Sequence, residues 1–251
     1  MRVFITAGAS GLGRAFAEAF LDQGAQVAII DRDPQALATF IAAHPTVTAL
    51  PADVTDEANL AAMMAQAKQA LGGFDVICAN AGTGGPAGPL ETLEAQAWRD
   101  CVDVNLTGAF LTAKHAIPTL KDQGSGLILF TTSTAGQWGY PNRSPYSSAK
   151  WALVGLTKGL AMELGGHGIR VNAIAPGSVE GDRMERVLTM EAAARNIDPE
   201  TVRAEYVQGV SMKTWVSAED IAATATFLAS PAARRISGQV IAVDGNTETL
   251  R

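Results

Sequence analysis

Residues 2–13 read RVFITAGASGLG, and this stretch decides the fold. It begins with a short apolar run that favours a β-strand, continues into a glycine-rich turn, and leads directly into an alanine-rich stretch with helical character. Glycines between a strand and a helix let the chain turn sharply and let the N–H groups of the helix N-terminus approach a pyrophosphate. A tight turn that binds nothing is the other interpretation, because a glycine-rich turn alone is a weak signal.

The same alternation of short apolar runs and longer alanine- and leucine-rich stretches continues along the chain. The strand candidates are residues 3–6, 26–30, 46–50, 74–79, 126–132, 169–174 and 239–243. The helix candidates are residues 13–23, 34–43, 57–71, 97–120, 147–164 and 218–229. Strands that alternate with helices, several of them almost wholly apolar, predict an α/β fold in which a doubly wound parallel sheet is covered on both faces.

Length and composition limit the classes of protein that the chain can belong to. We expect residues 1–251 to form one domain, because one pattern of strands and helices runs through them. Lysine and arginine total 19 against 25 acidic residues, and the net charge of −6 argues against a broad surface for nucleic acid or anionic lipid. The first apolar run is too short for a signal peptide or a membrane span. Cys78 and Cys101 lack the spacing of zinc ligands, so we expect buried reduced thiols, no metal site and a cytoplasmic protein.

One segment, at about residues 181–216, interrupts the alternation. It is long, polar and mixed in charge, where a crossover helix should follow the sixth strand. A loop of this length in a compact domain is usually a functional lid or carries small helices of its own. We expect it to hang beyond the carboxyl ends of the strands, where ligands bind in such sheets.

An acidic residue follows the second predicted strand. Asp31 stands where a carboxylate can accept both hydroxyls of an adenosine ribose and repel a 2′-phosphate, which favours NAD over NADP. The adjacent Arg32 keeps the alternative open, because a guanidinium beside the ribose could hold that phosphate. A capping role for Asp31 is less favoured, since Asp33-Pro34 already provides the start of the next helix.

A tyrosine and a lysine four residues apart point to acid–base chemistry. Tyr146 and Lys150 lie in a helical stretch, so they share a face and the ammonium can lie close to the phenol. An ammonium there stabilises the phenolate, and the tyrosine can then act as a general base near neutral pH. Ser133, near the end of the fifth predicted strand, is placed to hydrogen-bond the reacting oxygen. No Gly-X-Ser-X-Gly motif surrounds Ser133, which argues against a hydrolase.

These features together resemble the short-chain dehydrogenase/reductase family over essentially the whole chain. The matching motifs are the glycine-rich turn, Asp53-Val54, Asn80-Ala81-Gly82, Asn105, Ser133, Tyr146 with Lys150, and Pro176-Gly177. The resemblance implies a Rossmann-type sheet of about seven strands and a catalytic set of Asn105, Ser133, Tyr146 and Lys150, with Asn105 holding a water of a proton relay. It also implies that NAD contacts Ala7, Gly8, Ser10, Gly11, Leu12, Gly13, Asp31, Arg32, Asp53, Val54, Asn80, Ala81, Gly82, Tyr146, Lys150, Pro176, Gly177 and Val179.

The chain departs from the family pattern at two places. Ala7 stands where the first glycine of the turn is usual, which requires a negative φ at Ala7 and a methyl group that clears the cofactor. We therefore expect the turn to sit slightly differently. Gly181 stands where the family often carries a threonine that bonds the nicotinamide amide, so the backbone of Val179 is expected to serve the carboxamide.

The substrate is the least determined part of the prediction. By resemblance, the loop of residues 135–145 forms one wall of the substrate cavity, with Ser133, Trp138, Asn142, Arg143 and Tyr146 as candidate contacts. Arg143 could read a carboxylate, sulfonate or phosphate, or it could be an exposed loop arginine. Arg183, in the predicted lid, is a second candidate beside a solvated-charge interpretation.

The sequence thus predicts an NAD-dependent enzyme that interconverts an alcohol and a carbonyl on a small polar substrate: a sugar, a polyol or an anionic hydroxy acid. The alternatives are a reductase of 3-oxoacyl thioesters and, from another class, a non-catalytic NAD(H)-sensing protein that has kept the fold. The resemblance also implies a homotetramer that associates through residues 97–120 and 147–164, with Trp151, Leu153 and Leu160 as candidate contacts.

Overall fold

The structure is a computed structural model that describes residues 1–248 of the chain, without the side chains of Asp182, Arg183, Arg186, Met190, Glu191 and Ala194. Within the described residues, seven parallel strands form one sheet in the order β3-β2-β1-β4-β5-β6-β7. The strands are β1 (Arg2–Thr6), β2 (Gln26–Asp31), β3 (Thr48–Pro51), β4 (Val76–Ala79), β5 (Gly126–Thr131), β6 (Ile169–Pro176) and β7 (Val240–Val243). The chain reverses its winding direction between β1 and β4, which makes the sheet doubly wound.

The helices connect the strands and cover both faces of the sheet. They are α1 (Gly11–Asp22), α2 (Pro34–Ala43), α3 (Glu57–Leu71), α4 (Ala95–Val102), α5 (Gly108–Gln123), α6 (Ser144–Gly165), α7 (Asp182–Arg195), α8 (Pro199–Gln208) and α9 (Ala218–Ala229). Two apolar layers result. One packs α3, α5 and α6 on the sheet around Phe4 and Phe130, and the other packs α1, α2 and α9 around Phe20 and Ile29.

The predicted helix over residues 97–120 is confirmed, and it contains a π-helical turn that the sequence pattern does not reveal. The segment consists of α4, a π-helical turn over Asp103–Thr107, and α5. Apolar periodicity does not reveal such a turn, because it adds a residue within an otherwise regular helix and is frequent at functional sites. Asn105 lies in the middle of this turn and is fully buried.

The segment of residues 181–216 forms a small helical unit. Helices α7 and α8 enclose their own apolar cluster of Leu188, Ala192 and Val202. Trp215 closes this cluster, with Tyr206 stacked at 5.8 Å between ring centroids and the Arg203 guanidinium at 5.3 Å from the Trp215 ring. A parallel bridge beyond β6 joins Val179, which precedes the segment, to Val216, which ends it. The two ends of the unit are therefore held together.

The two cysteines, the length of the helices and two residues of α6 bear on further predictions. Cys78 and Cys101 are both free and buried, as predicted, and burial raises the pKa of the Cys78 thiol, which keeps it protonated. Among residues 1–248, no helix is long and apolar enough to span a bilayer. Leu153 is only 1% exposed and belongs to the core of the chain itself, so its expected role in subunit contact is wrong, whereas Trp151 is about half exposed.

Candidate active site

The glycine-rich turn brings the N-terminus of α1 to the carboxyl end of β1. Ser10 is the N-cap residue, and its side chain caps no N–H of the helix. Gly11 has a φ of 51°, and a Cβ added there would meet nothing within 4 Å. The N–H groups of the first turn thus have no side-chain cap, and an uncapped helix N-terminus is the kind of group that binds a phosphate.

The expectation of a negative φ at Ala7 is wrong. Ala7 has a φ of 51°, in the left-handed region that glycine adopts without a steric penalty. The turn therefore keeps the backbone path expected of a glycine, although the residue is alanine. Gly8 follows for a different reason, because a Cβ on Gly8 would lie 2.6 Å from the Cβ of Ile29 on β2.

Asp31 ends β2 beside the glycine-rich turn and is buried. One carboxylate oxygen accepts a hydrogen bond from the N–H of Ala9 at 3.1 Å, and the other accepts from the N–H of Asp33 at 3.1 Å. Arg32 is exposed and borders a cavity that is also lined by Thr83, Gly85 and Cys101. Both residues thus stand at the edge of the sheet where the strands end.

Asn80, Ala81 and Gly82 follow β4 and are bonded to β1. The Thr6 hydroxyl accepts hydrogen bonds from the N–H groups of Asn80 and Ala81, each at 2.9 Å, and the Asn80 amide oxygen accepts from the Thr131 hydroxyl at 3.1 Å. Sequence reasoning missed Thr6 and Thr131. Their signal is a hydroxyl residue at the last position of an apolar strand, which becomes informative only when the strands are known to be neighbours.

Asp53 and Val54 follow β3. The Asp53 carboxylate accepts from the N–H and hydroxyl of Thr55 at 2.9 and 2.8 Å. Val54 is buried against α5, where a Cβ on Gly108 would approach its Cγ2 to 2.6 Å. This loop is therefore fixed in place against α5.

Tyr146 and Lys150 share a face of α6, as predicted. The Lys150 ammonium lies 5.5 Å from the centroid of the Tyr146 ring and donates a hydrogen bond to the Thr131 carbonyl at 2.8 Å. Lys150 is 3% exposed, so its charge is held in a region of low dielectric. The ammonium and the phenol ring are therefore held together on one face of α6.

Asn105 and Lys150 meet at Gly82. A Cβ added to Gly82 would stand 2.9 Å from the Asn105 Oδ1 and 3.3 Å from the Lys150 Nζ, so only a glycine leaves these groups in place. The Asn105 side-chain amide donates to the carbonyls of Thr83 and Cys101, each at 2.9 Å. The π-helical turn thus brings Asn105 to the lysine and locks its side chain to the backbone.

Ser133 lies beyond the end of β5 rather than within it. It is the N-cap of a single 3-10 turn, Thr134–Gly136, and its hydroxyl accepts a hydrogen bond from the N–H of Ala135 at 3.1 Å. Two bonds hold this turn against α6: Thr132 donates to the Lys150 carbonyl at 2.8 Å, and Ser147 donates to the Ala135 carbonyl at 2.7 Å. Ser133 is therefore held alongside the Tyr146–Lys150 segment.

Pro176 ends β6, and Gly177 packs tightly against the turn after β7. A Cβ on Gly177 would come within 2.8 Å of the Asp244 backbone. The bonds of the bridge to Val216 are made by Ser178 and Glu180, so they leave the N–H and carbonyl of Val179 unused by the bridge. The use of the Val179 backbone by the carboxamide stays a prediction.

Arg143 is the N-cap residue of α6 and contacts both tyrosines of its neighbourhood. Its guanidinium carbon lies 5.7 Å from the ring centroids of Tyr140 and of Tyr146, and its Nη2 donates to the Gly84 carbonyl at 3.0 Å. The Nε is buried and has no hydrogen-bond partner. Arg143 is thus placed between the loop after β4 and the tyrosine.

The other predicted substrate contacts stand as follows. Asn142 adopts a left-handed conformation with a φ of 59°, and its carbonyl accepts from the N–H of Gly88 at 2.9 Å. Trp138 is 43% exposed and so is available to a ligand. The Arg183 side chain lies outside the described part of the chain, although its backbone belongs to α7.

The residues at the ends of the strands fit a nicotinamide dinucleotide. The open, uncapped N-terminus of α1 suits a pyrophosphate, the buried Asp31 carboxylate suits a diol, and Gly82 leaves a cradle that a side chain would fill. Within the described residues, no group of three or more histidine, cysteine or acidic side chains is arranged to hold a metal ion.

A protein-family model described as enoyl-(acyl carrier protein) reductase matches residues 6–246. The chain is 35% identical over 252 residues to a levodione reductase of Leifsonia aquatica, covering 97% of this chain and 92% of the relative. The chain belongs to the short-chain dehydrogenase/reductase family. It is therefore an oxidoreductase that uses a nicotinamide cofactor and a small-molecule substrate.

Two further relatives within this family bear on the chemistry. A cis-4-hydroxycyclohexanecarboxylate dehydrogenase of Sinomonas cyclohexanicum is 36% identical, covering 96% of this chain and 94% of the relative. A protein of Xanthobacter autotrophicus named inactive 2-(S)-hydroxypropyl-CoM dehydrogenase 2 is 41% identical, covering 93% of this chain and 100% of the relative. The family therefore includes a protein of high similarity that is named inactive.

Solved structures of the family share the fold. The crystal structure of levodione reductase superposes with a TM-score of 0.91 at 34% identity, covering 97% of this chain and 96% of the other. The structure of an NAD+-bound xylitol dehydrogenase superposes with a TM-score of 0.93 at 26% identity, covering 97% of each chain.

Proposed function

We propose that this enzyme uses NAD to interconvert an alcohol and a carbonyl group on a small polar substrate, with Tyr146 as the acid–base residue. The observation that carries the proposal is the position of the Lys150 ammonium, buried and 5.5 Å from the Tyr146 ring. The Thr131 carbonyl holds the Lys150 ammonium beside the Tyr146 ring, which places a tyrosine and a lysine together in a site for general acid–base chemistry.

The roles of the remaining residues follow from their contacts. In the direction of oxidation, Tyr146 takes the hydroxyl proton of the substrate, and Ser133 orients the same oxygen through its hydroxyl. Lys150 passes protons toward the region of Asn105, which faces it across Gly82. A nicotinamide held at the ends of the strands would supply the acceptor for the hydride of the carbinol carbon. In the direction of reduction, Tyr146 returns the proton.

The preference for NAD rests on Asp31. Its buried carboxylate stands at the end of β2 beside the glycine-rich turn, where a 2′-phosphate would meet a negative charge. The NAD+-bound relative of similar fold supports this assignment. Arg32 is exposed at the same edge, so the comparison of NAD with NADP is part of the test.

We further propose that the substrate carries an anionic group that Arg143 contacts, with the lid residue Arg183 as a second contact. Arg143 lies beside Tyr146, forms no ion pair within the described part of the chain, and has a buried Nε without a partner. An arginine in this state gains charge-assisted hydrogen bonds when a carboxylate arrives. The relative named for a cyclohexanecarboxylate supports this class of substrate.

A substrate screen tests the proposal. The purified enzyme is mixed with NAD or with NADP at equal concentration, and the absorbance of the reduced cofactor is followed with polyols, sugars, hydroxy acids and, in the reverse direction, 3-oxoacyl thioesters. We expect the highest kcat/KM with NAD and a hydroxy acid. Higher activity with NADP would overturn the role of Asp31, and preference for a thioester would replace the substrate class.

A non-catalytic NAD(H)-binding protein is the second candidate, because the relative with 41% identity is named inactive. Isothermal titration with NADH separates the two candidates. Tight binding of NADH together with no turnover across the whole panel supports the binding protein, whereas turnover that depends on Tyr146 supports the enzyme.

A further inference from the structure

Ala7 is held in a backbone conformation that its side chain does not favour. Its φ is 51°, and positive φ angles also occur at Asn142 (59°) and Asn246 (66°), whose polar side chains tolerate the left-handed region. Alanine has no polar group that could bond locally in compensation. The neighbours of Ala7 must therefore impose this conformation.

Two tethers follow Ala7 directly. The N–H of Gly8 donates to the Ile30 carbonyl at 3.0 Å, and the N–H of Ala9 donates to the Asp31 carboxylate at 3.1 Å. On the opposite side, a Cβ on Gly13 would stand 1.9 Å from the Ala7 carbonyl oxygen, so α1 presses closely against the turn. The turn is thus clamped between the end of β2 and the start of α1.

The Asp31 carboxylate is a rigid part of this clamp. It is 7% exposed, and its second oxygen accepts from the N–H of Asp33 at 3.1 Å. The start of α2 therefore fixes the orientation of the carboxylate, and the carboxylate fixes Ala9. Each oxygen accepts from a different N–H group and keeps a further lone pair, with which the carboxylate can accept the hydroxyls of a ribose.

We propose that Asp31 is a positioning residue for the glycine-rich turn, whose bond to Ala9 keeps Ala7 in the left-handed conformation. The turn then presents the N–H groups of the α1 N-terminus in the direction that a pyrophosphate needs. The consequence for cofactor binding rests on the proposed function, whereas the consequence for the turn concerns this chain alone. Replacement of Asp31 in order to admit NADP would therefore also loosen the phosphate site.

Asp31→Asn is a sharp probe of this role because it is nearly isosteric. An asparagine has one acceptor oxygen, and its NH2 group cannot accept, so it satisfies the N–H of Ala9 or that of Asp33 but not both. Asp33→Asn is the matched control. It removes one negative charge two residues away and keeps the capping of α2, in which Asp33 accepts from Gln35 and Ala36.

The experiment combines these substitutions with Ala7→Gly. Hydrogen exchange of the amides in residues 7–13 is measured in the cofactor-free chain, thermal unfolding is followed, and NADH affinity is obtained from fluorescence titration. We expect Asp31→Asn to speed exchange of the turn amides about tenfold or more and to weaken NADH binding by a similar factor. Asp33→Asn is expected to change neither quantity.

Ala7→Gly tests the link between the two residues. It should raise the unfolding midpoint of the cofactor-free chain by about 2–4 °C, because the left-handed penalty is removed. It should also recover at least about threefold of the NADH affinity lost in Asp31→Asn, since a glycine needs less help to hold the conformation. If the effects of Ala7→Gly and Asp31→Asn on NADH affinity simply add in the double variant, the proposal is overturned.

The readouts separate this inference from the proposed function. If Asp31→Asn weakens NADH binding while turn exchange stays unchanged, Asp31 acts on the ribose alone and the positioning role is wrong. If the unmodified chain binds neither NADH nor NADPH, the proposed function fails, and the exchange of residues 7–13 still decides whether Asp31 holds the turn.

Discussion

The guanidinium of Arg143 lies beside the ring of Tyr146, with 5.7 Å between its central carbon and the ring centroid. The two residues stand one helical turn apart at the start of α6, and Lys150 lies one turn further on, 5.5 Å from the same ring. The ring is therefore contacted by two cations. Lys150 is bonded to the Thr131 carbonyl, whereas the only hydrogen bond of the Arg143 side chain in the described residues goes to the Gly84 carbonyl.

Replacement of Arg143 tests whether this guanidinium binds an anionic group of the substrate. Arg143→Ala should raise KM for a hydroxy acid by roughly 10- to 100-fold, because a charge-assisted hydrogen bond is lost, and should change KM for the matching amide or alcohol much less. Steady-state kinetics with paired acidic and neutral substrates measure the difference. Arg99→Ala, on the exposed face of α4, is the control for loss of one positive charge.

An equal loss on both substrates would contradict anion recognition by Arg143. That outcome, especially as a fall in kcat without a change in KM, would instead assign the guanidinium to the support of Tyr146 and of the loop at Gly84.

Removal of the phenolic hydroxyl tests the acid–base role. Tyr146→Phe should lower kcat by about 10²–10⁴-fold, the usual contribution of a positioned acid–base group. NADH affinity should stay within about twofold, because the ring and its contacts with Arg143 and Lys150 are retained. Stopped-flow hydride transfer and fluorescence titration measure the two quantities. Turnover close to that of the unmodified enzyme would remove Tyr146 from this role.

Much of the fold could be predicted from the sequence because local signals mark it. Three helices begin and end where the pattern predicts, Pro34–Ala43, Glu57–Leu71 and Ala218–Ala229. Each starts behind a side-chain cap: Asp33, Asp56 and Ser217 all accept hydrogen bonds from N–H groups of the first turn. The shared helix face of Tyr146 and Lys150 follows from their spacing of four residues, whereas their selection as site residues rests on the family resemblance.

The remaining features depend on contacts between elements that are distant in sequence. The π-helical turn at Asn105 is fixed by bonds to Thr83 and by Lys150 beyond Gly82, none of which leaves a periodic signal. The positive φ of Ala7 depends on Ile30, Asp31 and Gly13. Residue type alone argues for a negative φ at an alanine, and tertiary contacts override that preference here.

Added volume at Gly136 should disturb Lys150 through its backbone. A Cβ on Gly136 would stand 2.7 Å from the Lys150 carbonyl oxygen and 2.6 Å from the Thr132 hydroxyl that is bonded to it. We expect Gly136→Ala to lower kcat by about tenfold or more and the free energy of unfolding by about 1–3 kcal/mol, the usual cost of overpacking. Denaturant unfolding and kinetics check both values.

Gly165→Ala, at the end of the helix α6 that carries Lys150, provides the control. A Cβ at Gly165 would meet nothing within 4 Å, so activity should be unchanged and the free energy of unfolding should stay the same or rise slightly. Retention of full activity in Gly136→Ala would mean that the 3-10 turn yields without moving Lys150.

The ion pair of Arg2 and Asp75 should make stability depend on pH in the acid range. Burial of Asp75 raises the pKa of its carboxyl, but hydrogen bonds from the Arg2 side chain and backbone outweigh burial and leave the pKa below its usual value. A carboxyl with a lowered pKa in the folded state stabilises the fold above its unfolded pKa, and this contribution is lost as pH falls through the folded pKa.

Asp75→Asn should therefore lower the unfolding midpoint most near neutral pH, and the difference from the unmodified chain should shrink below about pH 4. Asp22→Asn, which removes an exposed carboxylate with no ion pair among the described residues, should give a curve parallel to that of the unmodified chain. Thermal unfolding across the acid range measures both curves. A difference for Asp75→Asn that stays constant with pH would contradict the ion-pair role, because a contribution that depends on the carboxylate charge must disappear on protonation.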